Sequence, residues 1–217
     1  MIQDWNNRFS ENIRDYGGYS IGKLFALLND PEIISLAGGM PSPDIFLKEE
    51  TRRASSQRLE EDFDRIFNYT PVKGERDLLR ACIDFVKRDN IDIDEENILI
   101  TCSGQHALDI LGRLFLDPGD ALILDRPTFG GAITAFQMQR PEFIGVDLEE
   151  DGSNISEMKH RLEALKKSGK KPKFIYVVPD FQNPSGITMC LEKRHAILEL
   201  SSEYNVPVIE DLSLIHI

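Results

Sequence analysis

Apolar positions change their spacing partway along this chain. In the first part they recur at helical intervals. Ile21, Leu24, Phe25 and Leu28 make one stripe within Ile13 to Leu28, ended by Asn29-Asp30-Pro31. Ile33 to Leu36 reads as a short extended piece entering a loop dense in glycine and proline, Ala37-Gly38-Gly39-Met40-Pro41-Ser42-Pro43. Lys48 to Glu60 is polar and predicts a solvated helix, and Asn68-Tyr69-Thr70-Pro71 predicts a turn. Glu75 to Lys87 predicts an amphipathic helix whose apolar face carries Leu78, Leu79, Cys82, Ile83 and Val86.

Beyond Asn90 to Glu96 the pattern becomes one of short apolar runs. Five appear: Ile98–Thr101, Ala121–Asp125, Phe143–Asp147, Phe174–Val178 and Pro207–Glu210. Each of the first four is followed by a helical stretch, and Asp117-Pro118-Gly119-Asp120 supplies a helix stop and turn. Such alternation predicts parallel strands joined by crossover helices, an α/β sheet covered on both faces. The expected organisation is an N-terminal segment over residues 1–90 and an α/β domain over 91–211.

Composition narrows the function classes. The 217 residues are 41% hydrophobic and 29% charged, ordinary for a folded chain. Asp and Glu number 37 against 25 Lys and Arg, a net charge of -12 that disfavours a nucleic-acid backbone as partner. No apolar run is long enough to span a bilayer, and Met1 to Ser10 carries no signal-peptide core. Cys82, Cys102 and Cys190 are scattered and lack metal-ligand spacing. They read as reduced thiols of a cytoplasmic protein, with no metal site.

In open α/β sheets, ligands gather where the carboxyl ends of the strands meet loops and helix starts. After the first run comes Thr101-Cys102-Ser103-Gly104-Gln105-His106, opening a helix whose free N–H groups can hold an anion. By itself a Ser-Gly helix start is more often a simple cap. No dinucleotide or nucleoside-triphosphate glycine loop follows any run. After the second run Arg126-Pro127-Thr128-Phe129 places an aromatic ring at the rim. After the fourth, Pro179-Asp180-Phe181-Gln182-Asn183-Pro184-Ser185-Gly186 displays amides between prolines, denser in turn residues than a turn requires. The fifth run ends in Glu210-Asp211, a carboxylate that needs a cation or donor to meet it. Several such loops at one edge are a stronger signal than any one.

These residues resemble the N-terminal half of a fold type I pyridoxal-phosphate aminotransferase, class I/II, in the branch of the 2-aminoadipate and kynurenine aminotransferases. The resemblance covers about Ile13 to Asp211, with the motifs in order. They are Ser35-Leu36-Ala37-Gly38-Gly39-Met40-Pro41, Tyr69-Thr70-Pro71 with Gly74, Ser103-Gly104-Gln105 with Ala107-Leu108-Asp109, and Asp117-Pro118-Gly119-Asp120. Pro127-Thr128-Phe129 and Val178-Pro179 with Gln182-Asn183-Pro184-Ser185-Gly186 complete the set.

The resemblance implies pyridoxal 5′-phosphate as cofactor and transfer of an amino group from an α-amino acid to a 2-oxo acid. Ser103, Gly104 and Gln105 would hold the phosphate through their backbone N–H groups. Phe129 would stack on the ring, Asn183 would bond its hydroxyl oxygen, and Asp211 would pair with the protonated ring nitrogen. Tyr69 would reach the phosphate of a neighbouring subunit, which implies a homodimer, and Gly39 would lie near the substrate carboxylate. The resemblance also implies cis bonds at Arg126-Pro127 and Asn183-Pro184.

Departures accompany the likeness. The phosphate helix reads Ser103-Gly104-Gln105-His106 where the family usually has Gly-Ser-Gln-Gln, so the serine hydroxyl has moved by one position. Phe129 stands where Tyr is usual. The family's Schiff-base lysine and carboxylate-binding arginine lie beyond the fifth strand, and no lysine here has that context. Leu212 to Ile217 replaces the expected Asp-Pro-Tyr continuation and resembles a translated sequencing adapter, so the six residues are expected to be non-native and the reading frame truncated after the fifth strand. In the family, the first strand pairs with one from the absent half. Ile98–Thr101 is therefore expected to lack a partner, leaving the isolated chain poorly folded and catalytically dead. Two other functions share the fold: the effector domain of an aminotransferase-like transcription regulator, and a lyase or decarboxylase. The regulator would carry a basic winged helix-turn-helix ahead of this domain. Met1 instead begins almost directly at the aminotransferase-like part and the chain as a whole is acidic, which places that reading behind the enzyme.

Overall fold

The computed structural model describes residues 5–14 and 42–213. Gly39, the helix read over residues 15–28, the extended piece at 33–41 and the tail from 214 lie outside the described residues. The chain forms two compact units, one of Met1–Ile34 with Gly104–Ile217 and one of Ser35–Ser103.

In the Ser35–Ser103 unit, helix α1 (Lys48–Glu61) buries no residue, as its polar sequence requires. Same-face pairs support it: Arg52 with Glu49 at 3.0 Å and Gln57 with Glu61 at 2.8 Å. A short helical turn at Phe63–Ile66 follows, which the pattern does not announce. Helix α2 (Arg76–Val86) buries Leu79 and Ile83. Leu78, expected on the apolar face, is instead 47% exposed. It sits one position off the Leu79, Ile83, Val86 stripe, and at 100° per residue that step turns it outward.

Ile98–Thr101 forms no strand among the described residues. A strand needs a neighbour for its ladder, and this segment finds only a loop, where the Ile100 N–H donates to the Lys73 carbonyl at 2.9 Å.

The other four runs become strands of the Gly104–Ile217 unit. These are β1 (Ala121–Arg126), β2 (Glu142–Glu149), β4 (Ile175–Val177) and β5 (Val208–Glu210), with a two-residue β3 (Gly152–Ser153) between. Their order is β3-β2-β1-β4-β5, and every pair is parallel except β2 with β3. The crossovers are α4 (Gly130–Gln137), α5 (Ile155–Lys167) and α6 (Leu191–Tyr204), and α3 (Gly104–Phe115) leads into β1.

Two-residue periodicity divides the core. Ile123, Val146, Ile175 and Val177 pack with Met158 and Leu162 of α5 and Ile197 and Leu200 of α6. Leu122, Leu124 and Tyr176 pack with Leu108 of α3 and Ala132, Ala135 and Phe136 of α4. A sheet buried on both faces gives near-continuous apolar strands, which is why the runs stood out in the sequence. Hairpin strand β3 did not, being too short to carry a pattern. It depends on Gly152, which has φ +127° and where a Cβ would stand 2.6 Å from Met189 Cγ. Both Arg126-Pro127 and Asn183-Pro184 are cis, as expected. No helix of the described residues is long and apolar enough to cross a membrane.

One charge lies inside this core. Asp125, near the end of β1, is 1% exposed; its Oδ1 accepts from the Ser153 hydroxyl at 2.6 Å, and its buried Oδ2 has no partner among the described residues. Burial pushes its pKa up to about 6, a rise that the Ser153 hydrogen bond and Lys193 only partly oppose. The folded chain therefore holds a proton that the unfolded chain releases near pH 4. Stability from this group is fully present below pH 4 and is lost as pH climbs through 6. We expect Asp125→Asn to flatten the stability profile between pH 4 and 6 by on the order of 2 kcal/mol, measured by urea unfolding. An unchanged slope would contradict this account of Asp125.

Candidate active site

The strand-end loops of the Gly104–Ile217 unit converge because β1, β4 and β5 run parallel and end on one edge. Phe129, Asn183 and Asp211, together with Val178 and Ser213, line one cavity of about 60 Å³. Three of the sequence-derived site residues are thus brought together.

Helix α3 begins at Gly104, so its first N–H groups have no partner within the helix. Gly104 and Gln105 both lie close to the cavity residues. A Cβ on Gly104 would stand 3.3 Å from Ser213 Oγ. The Gln105 side-chain amide donates to the Gly131 carbonyl at 2.9 Å. Gly131 must be glycine, because a Cβ there would come within 2.5 Å of both the Phe129 ring and Gln105 Oε1. Its bareness lets the aromatic ring and the helix start sit side by side.

Ser103 belongs to the other compact unit, where its carbonyl accepts from the Thr101 hydroxyl at 2.9 Å. Tyr69 also belongs to that unit and is 100% exposed. Gly39 is outside the described residues.

The Asn183 loop is held from two directions. Gln182 is buried, and its amide nitrogen donates to the Pro127 carbonyl at 2.8 Å. Its amide oxygen accepts from the Ser185 N–H at 2.9 Å and the Ser185 hydroxyl at 2.5 Å. This one side chain ties the loop bearing Asn183 to the loop bearing Phe129. Arg194 of α6 grips the loop base, with Asp180 bidentate at 2.7 and 3.1 Å and the Pro179 and Met189 carbonyls at 3.2 and 3.0 Å. The Asp180 carboxylate raises the Arg194 pKa further above its usual range. Sequence reasoning did not assign Arg194, since an arginine on a crossover helix reads as a solvated residue.

Asp211 follows β5, its N–H donating to the Val177 carbonyl at 2.9 Å. The carboxylate accepts from the Tyr176 hydroxyl at 2.7 Å through Oδ2, and from the Ser213 N–H at 3.0 Å and the Ser213 hydroxyl through Oδ1. Among the described residues these donors are all neutral, so the negative charge at the cavity wall is solvated but not cancelled. That suits a cationic N–H. An aromatic face, an amide, an unneutralised carboxylate and an open helix start fit pyridoxal phosphate in chemical type. The space does not, since about 60 Å³ is well below the several hundred typical of a cofactor site. Ser213 is the reason: it lies between Asp211 and Gly104.

Replacing Gln182 by Ala leaves the Pro127 carbonyl and the Ser185 N–H without their partner. We expect a loss of about 2 kcal/mol in thermal or urea unfolding. A change under about 0.5 kcal/mol would mean that the two loops are held apart from this side chain.

Comparison with known proteins places this arrangement. Residues 32–213 match the family model for aminotransferase class I and II. Aromatic-amino-acid aminotransferase 1 of Thermococcus litoralis is 35% identical, over 96% of this chain and 50% of its own length. The 2-aminoadipate transaminase of Thermus thermophilus is 34% identical, over 95% and 50%. A crystal structure of Pyrococcus horikoshii kynurenine aminotransferase, solved in complex with PMP, superimposes with a TM-score of 0.90 at 36% identity, covering 97% of this chain and 52% of that one. The chain spans about half the length of the curated relatives it matches. It belongs to the class I and II aminotransferases, pyridoxal-phosphate enzymes of fold type I.

Proposed function

We propose that this chain carries the cofactor-binding part of an aminotransferase that moves an amino group from an α-amino acid to a 2-oxo acid. One observation supports the reading above the others: Asp211, stabilised among the described residues by neutral donors, faces the same cavity as Phe129 and Asn183. When bound, pyridoxal 5′-phosphate supplies an electron-withdrawing ring that makes the substrate's α-proton acidic. The protein's part is placement. Ser103, Gly104 and Gln105 offer backbone N–H groups to the phosphate, where a helix start favours an anion. Phe129 covers one ring face and excludes water from it. Asn183 donates to the ring oxygen, and Asp211 keeps a proton on the ring nitrogen.

Gly39 serves the substrate carboxylate in this reading, and Tyr69 serves the phosphate of a second subunit. The Ser35–Ser103 unit supports a homodimer by leaving large apolar side chains in solvent, among them Phe46, Leu47, Phe67 and Val72 beside Tyr69. The protein acts in the cytoplasm, consistent with Cys82, Cys102 and Cys190 forming no disulfide. No lysine of this sequence is assigned to the cofactor linkage.

Titration with pyridoxamine phosphate, which binds without a lysine, tests the site by calorimetry. With Ser213 displaced from the cavity by the ligand, we expect saturable binding, weakened at least tenfold by Asp211→Ala, because a charge-assisted bond is lost. Ser213→Gly is expected to tighten binding by opening the cavity. Equal affinity of Asp211→Ala and the parent chain would defeat the assignment. With pyridoxal phosphate and borohydride, we expect no single lysine to become labelled; stoichiometric labelling of one lysine would contradict the absence of a linkage residue.

A further inference from the structure

We infer that Tyr176 is a positioning residue for the ring nitrogen, its hydroxyl fixing the orientation of Asp211 so that the carboxylate meets the ring N–H. The inference rests on the reading of Asp211 given above and extends it to a residue in the middle of a core strand.

Tyr176 is the central residue of β4 and is 0% exposed. Its ring meets Phe136 edge-on, with centroids 5.6 Å apart and planes at 80°, inside the cluster formed with α3 and α4. Packing against Phe136 and the rest of that cluster would be served equally by phenylalanine. The hydroxyl is the part that packing does not explain. It reaches 2.7 Å from Asp211 Oδ2, the distance of a charge-assisted O–H···O bond. A carboxylate can only accept, so the phenol donates.

Burial and the adjacent Asp211 both push the Tyr176 pKa far above its ordinary value. The phenol therefore remains a neutral donor at any pH the protein meets. A donor fixed in this way holds one carboxylate oxygen in a single direction. In an N–H···O pair between a pyridine nitrogen and Asp211, a carboxylate held in place keeps its oxygen on the N–H, which favours the protonated ring. The same bond restrains the carboxylate. Asp211 lies just past β5, its backbone still held to β4 through the Val177 carbonyl, and among the described residues its other carboxylate oxygen is bonded only by Ser213, two residues along the chain.

The test uses pyridoxamine phosphate labelled with 15N in the ring, bound to the 217-residue chain and observed by NMR. In the parent chain the ring nitrogen should resonate as a protonated pyridinium. In Tyr176→Phe we expect the resonance to move toward neutral pyridine and the affinity to fall about tenfold, the usual scale for a hydrogen bond to a charged group. Phe136→Leu is the packing control. It loosens the same ring contact without touching Asp211, and should leave the resonance where the parent has it. A Tyr176→Phe resonance at the parent position would overturn the inference while leaving the cofactor assignment standing. So would an equal shift in Phe136→Leu, because the effect would then be one of packing. A parent chain that binds no pyridoxamine phosphate would overturn the assignment and the inference together.

Discussion

Because helices cover β1 and β4 on both faces, polar side chains have few places to go in the Gly104–Ile217 unit. A strand interior with no solvent on either side tolerates a polar atom only when a partner is already there. The strands therefore stay apolar along their length and release their chemistry at the carboxyl edge, in the loops carrying Phe129, Asn183 and Asp211. Two exceptions inside the sheet show the same constraint. Tyr176 is admitted with its hydroxyl committed to Asp211, and Asp125 with one oxygen committed to Ser153. The second Asp125 oxygen has no partner among the described residues, and the raised pKa of that carboxyl is the physical consequence.

Precision at the edge comes from side chains that touch no ligand. Gln182 connects the two loops that contain the cis proline bonds, and Arg194 anchors one of them to α6. Loops on a sheet edge are otherwise the most mobile part of such a fold. Here the buried amide and the bidentate ion pair substitute for the regular hydrogen bonds that strands and helices provide. Gly131 has the opposite function, providing absence of a side chain so that Phe129 can lie against the start of α3.

Much of this was legible in the sequence, for identifiable reasons. Runs buried on both faces, such as Ala121–Asp125 and Phe174–Val178, are visible without an alignment, and so is the polar helix at Lys48. Turn-rich segments after the runs pointed to Phe129, Asn183 and Asp211. Other features were not readable. Ile98–Thr101 has strand composition, but strand formation depends on a neighbour, which composition does not contain. Leu78 and Leu79 are equivalent in the sequence, and only the position of the stripe on α2 separates them. The roles of Tyr176, Gln182 and Arg194 arise from contacts between residues far apart in the chain, with separations of 35 and 55 for the Tyr176–Asp211 and Gln182–Pro127 bonds. A tyrosine within a β-branched run looks like core, and it is core; its second role depends on where β5 ends.

The central claim is that the start of α3 and the Asp211 edge form one site, with the phosphate at the helix and the ring nitrogen at the carboxylate. Amide NMR of the 15N-labelled chain separates the two ends directly, by comparing pyridoxamine phosphate with pyridoxamine lacking the phosphate. The account predicts that both ligands shift the amides around Asn183 and Asp211, while only the phosphorylated one shifts Gly104 and Gln105. Shifts at Gly104 and Gln105 that are the same with and without phosphate, or absent with both, would contradict it.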